Sequence, residues 1–333
     1  MKHKSLIIIL LLFFTLTSYS QENKDSFLWK IDKMFKLSST KSMDTNYYTI
    51  ANHGWMINLN NNFALVNLSS QINDVALYGT TKLNASSRFN YQLSTTFGYR
   101  NLILGCSLAN LVGQAKDFTL SLSANSWGFE FRRLETDDFD GEIENRLLIN
   151  NELKINRGDI RVKTRHLRAY HIFNSKKFSL TAAIDQRCVQ KQSAGSFLFY
   201  TNFAQSNIYF QNNTIATHFD NIKEIEFSSA SLGLGYAYNY TPNKGRLLFH
   251  ISAIPMFVAL NNAYLYRNNI EQIDSKHKYF FNFMGRFTVN YRFNDYLGIN
   301  LSAFFNNLNQ NTQNDLSIHW NDIIFKATLC CRF

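Results

Sequence analysis

His250-Ile-Ser252 has the spacing that puts an imidazole and a hydroxyl side by side on one face of a strand. A base beside a serine is the first requirement of acyl transfer, so this pair is the chain's candidate for hydrolysis. Ser193-Ala-Gly-Ser196 is a second serine-bearing stretch. A nucleophile elbow, however, needs Gly-x-Ser-x-Gly on a strand-to-helix turn, and neither the flanking Gly nor a helical pattern is present, so these small residues read as close packing or a bulge. His166, His171 and His218 stand at no ligand spacing from Cys or carboxylates, and neither a metal nor a cofactor is expected. The remaining chemistry is electrostatic. Glu130, Arg132, Asp185, Arg187, Arg286, Arg292 and Lys326 fall on the polar phase of strand-like segments, together with Asn290 and Arg332. Such a set either closes on itself as ion pairs or offers anions a positive lining. Arg157, Arg161, Lys163, Arg165 and Arg168 form a basic run near acidic Glu135, Asp137, Asp138, Asp140, Glu142 and Glu144, which reads as a self-neutralising loop or a site for an anionic ligand.

The elements that must position these groups are strands. From Ile323 the chain alternates to its end: Ile323, Phe325, Ala327, Leu329, Cys331 and Phe333 share one face, and Ile324, Lys326, Thr328, Cys330 and Arg332 share the other. Similar segments lie at 89–99, 102–108, 118–124, 127–134, 161–173, 178–198, 227–240, 246–260, 279–293 and 296–305. On 227–240, Leu232, Leu234, Tyr236, Tyr238 and Tyr240 oppose Ser229, Ser231, Gly233, Gly235 and Ala237, so one side is bulky and apolar and the other small. The links at 100–101, 125–126, 174–177, 241–245 and 294–295 are short and alternate with longer ones at 111–117, 135–160, 199–226, 261–278 and 306–318. Short turns at one end and long loops at the other are the asymmetry of a transmembrane antiparallel up-and-down β-barrel. With Val75 to Asn84 as its first strand the expectation is about twelve strands, within about ten to fourteen, Trp55 to Ser69 and Tyr47 to Ala51 being a further pair. Pro255 inside 246–260 removes a ladder donor, which a bulge would absorb.

The ends and the composition agree with this all-β reading. Lys2 and Lys4, an apolar run from Leu6 to Leu16 and small polar residues to Ser20 form a signal peptide over 1–20 whose apolar part is too short to span a membrane. In the region 21–50, Phe27, Leu28, Ile31, Met34 and Phe35 recur at helical spacing within Asp25 to Lys36, predicting a short periplasmic helix and a linker ahead of a barrel over 51–333. Thirty Phe and 17 Tyr against 2 Pro suit interfacial girdles, to which Trp127 and Trp320 are assigned. The net charge of +10 belongs to an exported chain, so nucleic acid is excluded and lipopolysaccharide or a polar lumen is the use of the basic excess. Cys106, Cys188 and Cys331 share the apolar phase and read as small lipid-facing groups with no disulfide.

Four segments together resemble a known family. Asp44 to Tyr48, Trp127 to Phe131 and Gln186 to Leu198, together with Gly233 to Tyr238, resemble an uncharacterised outer-membrane β-barrel family of Gram-negative bacteria whose members carry Asp-Thr-x-Tyr near the start, Tyr-Gly-Phe-Glu centrally and Ser-Ala-Gly-Ser-Phe in a middle strand, with Trp127 where Tyr is expected. The resemblance implies outer-membrane localisation and barrel architecture, and no activity. The terminal aromatic strand implies handling by the barrel-assembly machinery through Phe333. On this reading His250 and Ser252 lie near the periplasmic end and face the lumen, the wrong depth and the wrong side for a lipid hydrolase. The expected role is therefore non-enzymatic, a structural or interaction barrel, with a narrow channel for small polar or anionic solutes as the alternative and a lipid hydrolase as the second.

Overall fold

A computed structural model describes residues 43–333 except 52–53, 75–78, 88–89, 100–101, 113–115, 146–151, 219–220, 268–269, 275–280 and 312–315. The signal peptide and the 25–36 helix therefore lie outside the described residues. The strands are β1 (Tyr48–Ile50), β2 (Trp55–Asp74), β3 (Gly79–Ser87), β4 (Asn90–Tyr99), β5 (Leu102–Val112), β6 (Lys116–Ser123), β7 (Trp127–Thr136), β8 (Phe139–Asn145), β9 (Glu152–Ile155) and β10 (Ile160–Ile172). They continue as β11 (Cys188–Gln190), β12 (Ala194–Phe210), β13 (Ile222–Tyr240), β14 (Leu247–Arg267), β15 (Ile270–Asp274), β16 (Phe281–Arg292), β17 (Leu297–Asn311) and β18 (Leu316–Arg332). Two short helices, α1 (Leu180–Ile184) and α2 (Asn213–His218), interrupt the series.

Twelve strands form one antiparallel ring in the order β2, β4, β5, β6, β7, β10, β12, β13, β14, β16, β17 and β18, which β18 closes by pairing with β2 from Leu316↔Ile72 to Arg332↔Met56. The ring's first strand is β2 and not the 75–84 segment, whose described part belongs to β3. β3 leaves the ring and pairs with β8, which pairs with β9. β1 pairs with β11 in a separate two-stranded sheet and adds nothing to the wall, contrary to the expected further pair.

Alternation sorts the two surfaces. Leu232, Leu234, Tyr236, Tyr238 and Tyr240 on β13, with Phe197, Phe203, Ile251, Phe287, Leu301 and Phe325 on nearby strands, are 37–60% exposed on the outside. A belt of such residues around a closed ring is a lipid-facing surface, because a soluble monomer does not leave this much apolar area in water. Crossing a bilayer takes about 9–11 residues of tilted strand. β2, β13 and β14 have 20, 19 and 21, so nearly half of each projects beyond the membrane. Much of what the sequence presents as long external loops is this extension.

Two expectations change here. Pro255 pairs in register with Phe283 on one side, and the irregularity on the other lies at Ala259, the extra residue between Ala230↔Leu260 and Ser231↔Val258. Proline's missing donor is tolerated without a shift, and the bulge falls where β14 leaves its straight run. Trp320 is 1% exposed and faces inward, so it is no interfacial anchor; Trp127 is half-buried at the short-turn end of β7.

Among the described residues, side chains and backbone fill the lumen at both ends. At the outer end, inward side chains from opposite walls, among them Val66, Leu68, Ile208, Phe227, Leu265, Leu308 and Trp320, join Leu83, Phe139, Ile143 and Ile155 of the β3–β8–β9 sheet in one apolar core. Inward residues at the mouth of an open tube would be wet; these are 0–7% exposed, so the cap is dry. At the periplasmic end the chain turns at 173–177, as expected for 174–177, but 178–193 do not begin the next wall strand, which starts only at Ala194. They fold back into the barrel as a plug.

Candidate functional site

The plug is built from two distant pieces of chain. Asp44 N–H donates to the Lys176 carbonyl at 2.9 Å, Lys191 N–H to the Tyr47 carbonyl at 2.7 Å and Ala51 N–H to the Arg187 carbonyl at 2.8 Å. Two of the segments that carry the family resemblance therefore meet as β1 and β11. Ser179 caps α1, its hydroxyl accepting from Ala182 N–H at 3.2 Å. Gln186 turns the chain out of α1 with φ +55°, a left-handed conformation that its surroundings must hold in place. They do so through Arg332, whose Nη2 donates to Gln186 Oε1 at 2.9 Å, and through the Ile299 carbonyl, which accepts from Nε2 at 2.5 Å.

Wall side chains satisfy further carbonyls of the plug. Asn290 donates to the Ala182 and Ala183 carbonyls at 2.9 and 2.8 Å, and Asn239 to the Ser179 carbonyl at 2.8 Å. A buried polar group left open costs about 1–3 kcal/mol, so these amides are what allow polar backbone to sit inside a barrel. Tyr48 is 1% exposed, its hydroxyl donates to the Ser175 carbonyl at 2.5 Å, and burial pushes its phenol well above the ordinary range. Cys188 packs here with Tyr48, Ala182, Ala183 and Leu248, so it is a plug residue and not a lipid-facing one. Cys331 is half-buried and Cys330 fully buried.

Between plug and cap lies a chamber of about 240 Å3. Of the charged residues assigned to the lumen, Glu130, Arg132, Asp185, Arg187, Arg286 and Lys326 line it. Arg292 does not: it sits at the periplasmic mouth, 3.8 Å from Asp295 and 3.4 Å from the Gln186 carbonyl. Asp185 and Arg187 belong to the plug and not to a wall strand, and they pair with each other at 2.9 Å, Arg187 also donating to Ser123 at 2.7 Å. Arg168 pairs with Glu130 at 2.9 Å, and Arg132 bridges Asp117 at 2.8 Å and Asp322 at 3.1 Å. Asp117, Arg168 and Asp322 are the members that the sequence analysis left out. Phase alone could have found Arg168, because it lies two residues from inward His166 and opposite Glu130; it is not part of the loop run with Arg161, Lys163 and Arg165, which point outward.

His250 is 1% exposed and inward-facing, with Nδ1 2.8 Å from Asn239 Oδ1 and Nε2 3.3 Å from Ser252 Oγ. The order Asn–His–Ser has the form of an orienting group, a base and a nucleophile. Ser252, however, is 8% exposed and does not line the chamber, and the Asn239 amide nitrogen is committed to Ser179 and Gln190 of the plug. Here the chain of hydrogen bonds fastens the plug to β13 and β14. Among the described residues no group of three or more His, Cys, Asp or Glu could hold a metal ion.

A family model described as "Domain of unknown function (DUF4421)" matches residues 42–333. No curated protein sequence matches the chain. The outer-membrane protease OmpT from Escherichia coli is a similar solved structure at 8% identity and a TM-score of 0.42, with 89% of this chain and 100% of that one covered. The outer-membrane protein OprG from Pseudomonas aeruginosa is similar at 12% identity and a TM-score of 0.31, covering 86% and 99%. At these identities and TM-scores neither structure informs this chain's activity.

Proposed function

The chain belongs to the family described as a domain of unknown function, DUF4421, and from that premise we propose that it is a non-conducting outer-membrane barrel that works through its ends, as a structural or interaction protein, rather than by passing solute or by catalysis. The observation that carries this reading is the double closure of the lumen, by the 43–51 and 173–193 plug below and the apolar cap above. A pore needs a continuous water path, and a cap whose inward residues are 0–7% exposed offers none. The projecting halves of the long strands, with β3, β8, β9, β15 and α2, form a folded platform outside the membrane, where a partner would meet them.

Planar-bilayer recording of the purified protein tests the reading: silence is expected, and a steady, ion-selective conductance would replace it with the channel. The hydrolase remains as second reading because of the Asn239–His250–Ser252 hydrogen bonds. Incubation with phospholipid and lipid A is expected to release no fatty acid. Release that disappears in Ser252→Ala would make the protein an enzyme.

A further inference from the structure

We propose that the chamber binds a small oxyanion carrying two or more negative charges, held by Arg286 and Lys326. Five cationic side chains line the chamber against three carboxylates, and each of those carboxylates is already engaged in one of the ion pairs described above. Asp322, just outside the lining, is held by Arg132. Arg286 and Lys326 are left with no carboxylate within ion-pair distance among the described residues.

The arrangement around Phe304 makes the imbalance local. The Arg286 guanidinium lies 5.2 Å from the centroid of that ring and the Arg168 guanidinium 5.5 Å from the same centroid. Two like charges on one ring repel each other, and only Arg168 has a carboxylate, Glu130 Oε1 at 2.9 Å. Arg168 is also incompletely used: its side chain is 7% exposed and its Nη2 has no hydrogen-bond partner. Arg168 Nη2 is itself closed off from the chamber's free space, whereas Arg286 and Lys326 are partly exposed on its lining, where a guanidinium fork and an ammonium suit an oxyanion. An anion in the chamber accepts from Arg286 and Lys326, which lie on next-but-one strands either side of Phe304, and offsets the charge that they add beside Arg168. The volume, about 240 Å3, is below the ~300 Å3 at which sites for drug-sized ligands begin, so the ligand is of the size of phosphate or a short dicarboxylate.

The inference rests on the chamber's charge balance and stands whether or not the barrel conducts. Its test is equilibrium dialysis of the folded, detergent-purified protein against radiolabelled inorganic phosphate and, separately, succinate. Ionic strength is held constant with chloride, and equilibration runs overnight so that slow entry past the plug does not conceal binding. Saturable binding near one site per chain is expected for at least one of the two anions, and the two arms tell a phosphate-type from a dicarboxylate ligand. Arg286→Met with Lys326→Met keeps the alkyl packing and is expected to weaken binding at least tenfold while the protein still migrates as a folded, heat-modifiable barrel. Should that pair of changes prevent folding, Arg286→Lys, which keeps the charge and loses the planar fork, is expected to weaken binding by a smaller factor. Absence of saturable binding of either anion to the wild type overturns the proposal, as does unchanged affinity in the folded variant.

Discussion

At the scale of single residues, Arg132 is the side chain on which the chamber wall most depends. It reaches Asp117 on β6 and Asp322 on β18, so one guanidinium ties β7 to its neighbour and to the far side of the ring. Arg132→Met would leave Asp322, 2% exposed, as a buried carboxylate without its cation, and the expected loss is about 3 to 5 kcal/mol. The midpoint of urea unfolding in detergent measures it. Asp185→Ala is expected to cost the barrel much less, because its partner Arg187 is two residues away on the plug and no wall strand loses a contact with it. Equal losses for the two variants would mean that the plug and the wall unfold as one unit.

At the scale of elements, the plug is a separate folding problem solved inside the barrel. Cys188 reports on it, being 5% exposed and packed beneath Tyr48. In a protein whose other cysteines are changed to Ser, Cys188 is expected to resist a maleimide, and Asn239→Ala, which removes the amide between Ser179, Gln190 and His250, is expected to accelerate labelling several-fold. An unchanged rate would show that the plug is held by packing alone. β13 gives a second element-scale prediction. A Cβ at Gly235 would meet the Ala253 carbonyl and the Ile254 side chain on β14, so Gly235→Val is expected to destabilise by about 1–3 kcal/mol in the same urea assay.

At the scale of the whole molecule, the ring, the outward aromatic belt and the two closures describe one membrane-embedded body. Heat-modifiable migration on a denaturing gel and recovery with outer membranes are the expected behaviour; a soluble, heat-insensitive periplasmic protein would contradict the barrel. If the lumen is closed twice, as proposed, replacing 173–193 by a tight turn is expected to leave planar bilayers silent, the apolar cap remaining in place. Conductance from that variant would mean that the cap is not a barrier by itself.

The sequence by itself determined the class and the two surfaces and brought the strand count to about twelve, though with 75–84 in the place of β2, because strand alternation is a local property: Phe325, Leu329 and Phe333 face lipid and Lys326, Cys330 and Arg332 face inward as period two requires. It also marked Ser193 to Ser196 as a place of close packing or a bulge. What the tertiary structure decided is where the 173–193 stretch goes and which charges meet. The plug joins 43–51 to 173–193 across more than a hundred residues, and Arg132 meets Asp322 across the ring; contacts so far apart in sequence leave no periodic signal in either partner. The placement of Trp320 and Cys188 changed for the same reason. Both are apolar side chains that suit lipid or a packed interior equally well, and only the folded chain says which one surrounds them.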